Sequence, residues 1–190
     1  MVKMPFWKTT LLALCFGMTG IEALGEPAAP SVAPSLQTIA GLDVPRYMGT
    51  WYEIAKFPNW FQKKCVGATR AEYRQQVDGT VQVINRCRRE NGEMSEAIGK
   101  VRQEGPATSP KLKVRFAPDW LAFLPMVWGD YWVVDLDEDY QLAAVSEPER
   151  EYLWVLSRTP QVQPKRYQAL LDRLSQKGFD VGKLEQTRQD

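Results

Sequence analysis

The most constraining feature of this chain is a succession of short β-type segments between residues 49 and 157, broken by turn residues at fairly even spacing. Such a pattern is typical of an all-β barrel or sandwich. Asp78-Gly79 and Asn91-Gly92 indicate two-residue hairpins, because both turn positions take a positive φ that Asn, Asp and Gly tolerate. The predicted strands are Gly49–Pro58, Gly67–Val77, Thr80–Arg88, Glu93–Gln103, Lys111–Ala117, Asp130–Leu136, Tyr140–Ser146 and Glu151–Ser157. We therefore expect an all-β fold, an eight-stranded antiparallel up-and-down barrel.

The hydrophobic period changes after Pro160, where the sequence predicts one helix. Apolar residues recur there at helical spacing from about Pro164 to Lys177, and Gly178 ends the pattern. The residues on this apolar face are Val162, Tyr167, Leu170, Leu171 and Leu174. We expect this C-terminal α-helix to pack on the outside of the barrel.

The first 25 residues have the pattern of an export signal. Lys3 and Lys8 precede an apolar run from Thr9 to Met18, and Ala23-Leu24-Gly25 resembles a cleavage site. The run is much shorter than the ~20 apolar residues that a membrane-spanning helix needs. We therefore expect export and a mature chain that starts near Glu26.

Two further expectations concern the region before the barrel. Residues 26–38 are rich in Pro and Ala without apolar periodicity, which predicts an extended tether, so the folded domain is expected to cover residues 39–190. A lipid anchor at Cys15 is the less favoured interpretation of the signal, because Leu14 stands where a lipoprotein signal needs a small residue.

Composition excludes several classes of function. The chain has no histidine, which removes Ser-His-Asp and Cys-His catalysis and histidine metal sites. Its 24 Lys and Arg residues nearly balance 23 Asp and Glu residues, so a nucleic-acid partner is not expected. We also expect no metal and no cofactor.

Cys65 and Cys87 would remain in an exported chain, which predicts one disulfide, with two separate buried thiols as the alternative.

Three motifs in order along the chain resemble the signatures of the lipocalin family. They are Gly49-Thr50-Trp51-Tyr52-Glu53-Ile54-Ala55 preceded by Leu42-Asp43-Val44-Pro45-Arg46-Tyr47, then Asp137-Glu138-Asp139-Tyr140, then Trp154-Val155-Leu156-Ser157-Arg158. The resemblance covers about residues 39 to 185 and extends to the bacterial outer-membrane group and to apolipoprotein D. It implies that Gly49, Trp51 and Arg158 are structural, and that Arg158 stacks on Trp51 at the closed end of the barrel.

Side chains alternate faces along a strand, so an inward Trp51 also turns Glu53 and Ala55 inward. The other residues assigned to the interior are Tyr73, Val83, Asn85, Leu112, Val114, Phe116, Tyr131, Val133 and Trp154. The resemblance implies that Tyr73, Asn85, Tyr131 and Trp154 line a ligand pocket, and the alternative is that these side chains fill the barrel. The complete set predicted to bind the ligand adds Glu53, Val83, Val114, Phe116 and Val133. Glu53 is expected to meet a ligand polar group or a tyrosine hydroxyl, or else to be hydrogen-bonded within the protein.

The resemblance implies a periplasmic binding protein, not an enzyme. It would store or carry a small amphiphilic lipid, a fatty acid or a lysophospholipid, for maintenance of the outer membrane. One alternative is an isomerase or synthase that acts through Glu53 or a free cysteine. The other is a protein-interaction module that uses an apolar rim.

That rim consists of two loops predicted at the open end. Its apolar residues are Phe57, Trp60, Phe61, Trp120, Leu121, Phe123, Leu124, Met126, Val127 and Trp128. Three interpretations remain open: the longer loop is a buried lid, the rim contacts the outer-membrane surface through Trp60, Phe61, Trp120 and Trp128, or the rim forms a homodimer.

Overall fold

The computed structural model describes residues 35–190. The predicted export signal, Cys15 and most of the predicted tether lie outside the described residues. Leu36, which the sequence analysis assigned to the tether, is buried in an apolar cluster with the C-terminal helix. The packed domain therefore begins before residue 39, because one apolar side chain of the tether reaches that cluster.

All eight predicted strands are present, each within two residues of its expected bounds. They are β1 Gly49–Lys56, β2 Cys65–Gln75, β3 Val81–Arg89, β4 Met94–Gln103, β5 Lys111–Arg115, β6 Gly129–Leu136, β7 Leu142–Ser146 and β8 Leu153–Ser157. Each strand pairs antiparallel with the next, and β1 pairs with both β2 and β8, which closes the barrel. The up-and-down barrel is confirmed. The prediction of two-residue turns at Asp78-Gly79 and Asn91-Gly92 is wrong, because only the two glycines have a positive φ and the loops that hold them are longer.

A ninth strand was not predicted. β9, Glu185–Gln186, pairs antiparallel with β1 through Ala55 and Lys56. The register between β1 and β2 runs only from Gly49↔Tyr73 to Tyr52↔Arg70, so the two strands separate toward the loop that joins them. The tail enters this gap, where the Ala68 amide donates to the Arg188 carbonyl at 2.6 Å. The last residues of the chain thus bridge β1 and β2.

Two helical segments flank the barrel. α1, Val44–Tyr47, leads into β1, and the Asp43 side chain caps its first turn by accepting from the Arg46 amide. α2, Pro164–Gln176, is the predicted C-terminal helix, and Gly178 follows it with a φ of 85°. None of the helices among residues 35–190 is long and apolar enough to span a membrane.

Apolar residues form two clusters, one inside the barrel and one beneath α2. Successive residues of a strand alternate between them: Val133 belongs to the inner cluster and Val134 to the outer cluster with Leu170 and Leu174. The prediction that Ala55 points inward is wrong. A bulge in β1 between Glu53 and Ala55 adds one residue to the strand, so Ala55 lies in the outer cluster.

Candidate ligand-binding site

The closed end of the barrel is built around Trp51. Its indole N–H donates to the Tyr47 carbonyl at 2.8 Å, and the Arg158 guanidinium lies 4.0 Å from its ring centroid. The predicted stack of Arg158 on Trp51 is confirmed. Arg158 also donates to the carbonyls of Arg46 at 2.8 Å and Thr50 at 3.0 Å. One guanidinium therefore joins α1 to the start of β1.

The backbone conformation at position 49, beside this stack, favours glycine. Its φ is 94°, a left-handed conformation that glycine adopts without strain, and a Cβ at this position would lie 3.3 Å from Arg158 Nη1. The structural role expected for Gly49 follows from both constraints.

Three tyrosines meet inside the barrel above this end. The Tyr131 hydroxyl lies 3.0 Å from the Tyr47 hydroxyl and 2.8 Å from the Tyr73 hydroxyl. Burial raises the pKa of Tyr73 to about 12 and also raises the pKa of Tyr47 and of Tyr131, so all three hydroxyls keep their protons at neutral pH. We call these residues the tyrosine cluster.

Interior residues change from buried to exposed between the two ends of the barrel. The buried ones include Tyr73, Val83, Leu112 and Val133. Nearer the open end, interior side chains are only half-buried or are exposed; they are Asn85, Ala97, Val114, Phe116, Tyr131 and Trp154. The pairings Ala71↔Asn85 and Asn85↔Ala97 place Asn85 and Ala97 on the same face as the core residue Ala71. Val114, Tyr131 and Trp154 pack against the inner cluster. The barrel is thus filled below and open above, and we call the open part the cup.

Phe116 lies across one wall of the cup. Its ring covers Gly99, where a Cβ would come within 2.8 Å of the ring. Phe116 is nevertheless 44% exposed, because it stands at the level where the interior opens. A side chain larger than hydrogen at position 99 would displace this ring.

Glu53 lies in a polar network at the open end. Its carboxylate accepts from Gln62 Nε2 and from Thr187 Oγ1, both at 2.6 Å, and Gln62 Oε1 accepts from the Trp154 indole at 3.0 Å. The tyrosine hydroxyl expected as a partner is not in this network, because the interior tyrosines bond to one another. Glu53 is only 4% exposed, and burial raises its pKa although both hydrogen bonds oppose this effect.

The predicted disulfide between Cys65 and Cys87 is confirmed, with 5.5 Å between the two Cα atoms. It joins the start of β2 to the end of β3, near the loop that carries Gln62. Both cysteines of residues 35–190 are therefore oxidised, and this part of the chain holds no free thiol.

The two predicted rim loops differ in how much they expose. Phe57 is buried in the outer cluster, whereas Trp60 and Phe61 are exposed. In the longer loop Trp120 is 74% exposed and Met126 is 84% exposed, so the interpretation of this loop as a buried lid is not supported.

Trp128 does not belong to the exposed set that was expected to contact a membrane. Its indole donates to the Ala122 carbonyl at 2.8 Å, and its ring lies 4.2 Å from the Arg102 guanidinium and 5.1 Å from that of Arg115. These contacts anchor the base of the loop. Five residues of the predicted rim are exposed, and the word rim refers to these from here on: Trp60, Phe61, Trp120, Phe123 and Met126.

Three residues of the site were missed by sequence reasoning. Tyr47 stands in the motif before β1, but it lies in α1, where strand alternation does not apply. Gln62 and Thr187 reach Glu53 from a loop and from the C-terminal tail, and neither segment has a periodic pattern that predicts its position. The one signal for Gln62 and Thr187 was the inward position of Glu53, because a buried carboxylate needs hydrogen-bond donors.

Comparison with known proteins agrees with this architecture. The family model of the Lipocalin-like domain matches residues 42–189. The chain belongs to the lipocalin family. Temperature-induced lipocalin-1 of Arabidopsis thaliana is 43% identical to this lipocalin, over 81% of the chain and 83% of the relative. Outer membrane lipoprotein Blc of Escherichia coli K12 is 35% identical over 92% and 94%, and mouse apolipoprotein D is 30% identical over 95% of each.

Solved structures agree on the fold. Insecticyanin of the tobacco hornworm matches this lipocalin with a TM-score of 0.64 over 84% of the chain and 87% of the insecticyanin chain, at 19% identity. Membership of the family supports a role in binding a small hydrophobic ligand, and the relatives are named as lipocalins and lipoproteins, which agrees with a protein that is not an enzyme.

Proposed function

We propose that this lipocalin binds a small amphiphilic lipid, a fatty acid or a lysophospholipid, in the cup, and stores or carries it. The observation that carries the proposal is the change from buried to exposed interior side chains at Asn85, Ala97, Val114 and Phe116. A closed apolar floor beneath an open, mostly apolar wall fits the general design of ligand pockets, in which few polar groups fix orientation.

The distribution of polar groups favours an amphiphile. In the cup wall the Asn85 amide and the Tyr131 hydroxyl are polar, and Ala97, Val114 and Phe116 are apolar, whereas the open end carries the network of Glu53, Gln62 and Trp154. A lysophospholipid would therefore place its acyl chain in the cup and its headgroup at the open end. Glu53 takes part through Gln62, whose amide it orients, and through any headgroup donor that reaches its carboxylate.

A pair of tryptophan substitutions tests this proposal. Ala97 faces the cup, and its neighbour Ile98 lies on the outer face of β4, where it is exposed. Ala97→Trp should fill the cup and lower affinity for a lysophospholipid by tenfold or more, about 1.4 kcal/mol, in a fluorescent-probe displacement assay.

The matched control is Ile98→Trp, which adds the same side chain to the outer face and should bind like the wild type. Native mass spectrometry should also show co-purified lipid in the wild type and in the control. Equal affinity of Ala97→Trp and wild type, with the variant folded, would contradict a ligand in the cup.

An isomerase or synthase of the same fold is the weaker alternative. A mechanism that uses a cysteine thiol would need a free cysteine, and residues 35–190 hold none. Thiol titration of the denatured mature protein tests this directly: zero free thiols are expected. A titratable thiol in that protein would reopen the alternative.

We also propose that the protein is exported to the cell envelope and that the rim rests on the outer-membrane surface. Relatives that are named outer membrane lipoproteins support the location. The exposure of Trp60, Trp120 and Met126 supports the contact, since aromatic side chains favour the membrane interface. In liposome flotation, Trp120→Ser should reduce the bound fraction; unchanged flotation together with a dimer in sedimentation analysis would favour the homodimer instead.

A further inference from the structure

The tyrosine cluster contains one more hydrogen than its own hydrogen bonds use. Three phenol hydroxyls carry three hydrogens, and the two contacts that Tyr131 makes with Tyr47 and Tyr73 use two of them. No other hydrogen bond within residues 35–190 reaches these hydroxyls. Whichever way the hydroxyls rotate, one hydrogen therefore needs an acceptor from outside the cluster.

The surroundings make this requirement strong. All three side chains lie in or against the inner apolar cluster, where an unpaired donor keeps its full desolvation penalty. The neighbouring cation, Arg158, is occupied by Trp51 and by the backbone carbonyls of Arg46 and Thr50. Arg158 thus lies close enough to act on Tyr47 as a charge, but it donates no hydrogen bond to the cluster. The cluster therefore offers a neutral donor and no cationic N–H group.

The spare hydrogen can reach the cup through Tyr131. This residue is the first to face the interior after Gly129, where β6 begins at the open end, and it pairs with the interior residue Leu112. Tyr131 is only half-buried, unlike Tyr47 and Tyr73. The cluster thus extends from the filled floor to the lower border of the cup.

A neutral donor in an apolar environment selects the charge of its acceptor. A carboxylate or phosphate would lose its hydration there with no cationic N–H group free to bind it, which is costly, whereas a carbonyl oxygen loses far less. We propose that the tyrosine cluster is a subsite for an uncharged hydrogen-bond acceptor at the buried end of the ligand: the carbonyl of a ketone, an ester or a protonated carboxylic acid. This subsite rests on the proposed function, because it needs a ligand in the cup.

The subsite is tested with ligands that differ only at one end. A long-chain methyl ketone, the alkene of the same length and a lysophospholipid of similar chain length compete with a fluorescent apolar probe for the wild-type protein. The ketone should bind about tenfold more tightly than the alkene, the size of one buried hydrogen bond. The lysophospholipid, with its headgroup at the open end, should gain nothing from the cluster.

The decisive variant combines Tyr47→Phe, Tyr73→Phe and Tyr131→Phe. It removes all donors and acceptors together, so it should keep the thermal midpoint and the affinity for the alkene while the preference for the ketone disappears. Tyr73→Phe alone leaves two hydroxyls and one hydrogen bond, hence still one spare hydrogen, and should keep the preference. Tyr167→Phe on α2 is the matched control for the chemical change and should behave like the wild type.

The outcomes separate the two proposals. If wild type binds ketone and alkene equally, or if the triple variant keeps the preference, the subsite is wrong and a buried water or the protein takes the spare hydrogen. If the alkene and the lysophospholipid also fail to bind wild type, the ligand in the cup is wrong as well. Loss of the preference in the triple variant but not in Tyr73→Phe supports the hydrogen count rather than simple contact with Tyr73.

Discussion

Removal of Arg158 should destabilise the barrel far more than removal of an ordinary surface arginine. Its guanidinium stacks on Trp51 at 4.0 Å and donates to the carbonyls of Arg46, Thr50 and Tyr140 at 2.8, 3.0 and 3.3 Å. The cation–π contact contributes about 1 kcal/mol at a half-buried site, and the three hydrogen bonds together contribute roughly 2 kcal/mol. Arg158→Ala should therefore lower the free energy of unfolding by about 3 kcal/mol.

Urea denaturation followed by far-ultraviolet circular dichroism measures this change, with the disulfide kept oxidised. With a slope of about 2 kcal/mol per molar urea, the midpoint should fall by about 1.5 M. Arg158→Lys keeps the charge but cannot bridge three carbonyls with a planar fork, so it should lose about half as much.

Arg74→Ala serves as the control, because Arg74 is exposed and pairs only with Glu72 at the surface; it should change stability by less than about 0.5 kcal/mol. The reasoning is refuted if Arg158→Ala costs no more than this control. If Arg158→Lys equals the wild type, charge alone matters and the hydrogen-bond geometry does not.

Three further predictions concern stability. Burial raises the pKa of Glu53, so the folded state binds its proton more tightly, and this residue favours folding at low pH and loses that contribution as pH rises. Glu53→Gln should therefore gain stability relative to wild type as the pH rises above about 4.5, and a pH-independent difference would contradict this. Cys65→Ser with Cys87→Ser should cost about 3 kcal/mol of unfolding free energy, since the bridge closes a loop with a sequence separation of 22, and an unchanged urea midpoint would argue against it. Gly49→Ala should lower stability by roughly 1–2 kcal/mol in the same measurement because of its φ of 94°, and no loss would show that the backbone relaxes freely.

Strand alternation predicted the interior wherever a strand is regular. Tyr73, Val83, Leu112 and Val133 all face the inner cluster as expected. The prediction failed at Ala55, because a bulge changes the parity of every residue beyond it and leaves no mark in the pattern of apolar residues. Parity also could not separate residues that fill the barrel from those that line the cup.

The apolar rim shows the same limit. Trp120 and Trp128 are equivalent in the sequence, each a tryptophan in an apolar loop. In the structure Trp120 is exposed, while Trp128 is held between two arginines and a backbone carbonyl. Arg102 lies on β4 and Arg115 on β5, so the difference depends on contacts between neighbouring strands that no local pattern encodes.

The sequence by itself determined the features that depend on local chemistry: the eight strands, their order and the terminal helix. The disulfide pair followed from the two cysteines expected in an exported chain, and the stack of Arg158 on Trp51 from the resemblance to the lipocalin motifs. Period, turn residues and ordered motifs carry that information along the chain. Only the tertiary structure decided what depends on distant segments that meet. The tail reaches Glu53 from 134 positions away, and Tyr131 joins Tyr47 from 84 positions away. Such contacts arise from the closure of the barrel, which sets distances across its interior that spacing in the sequence does not.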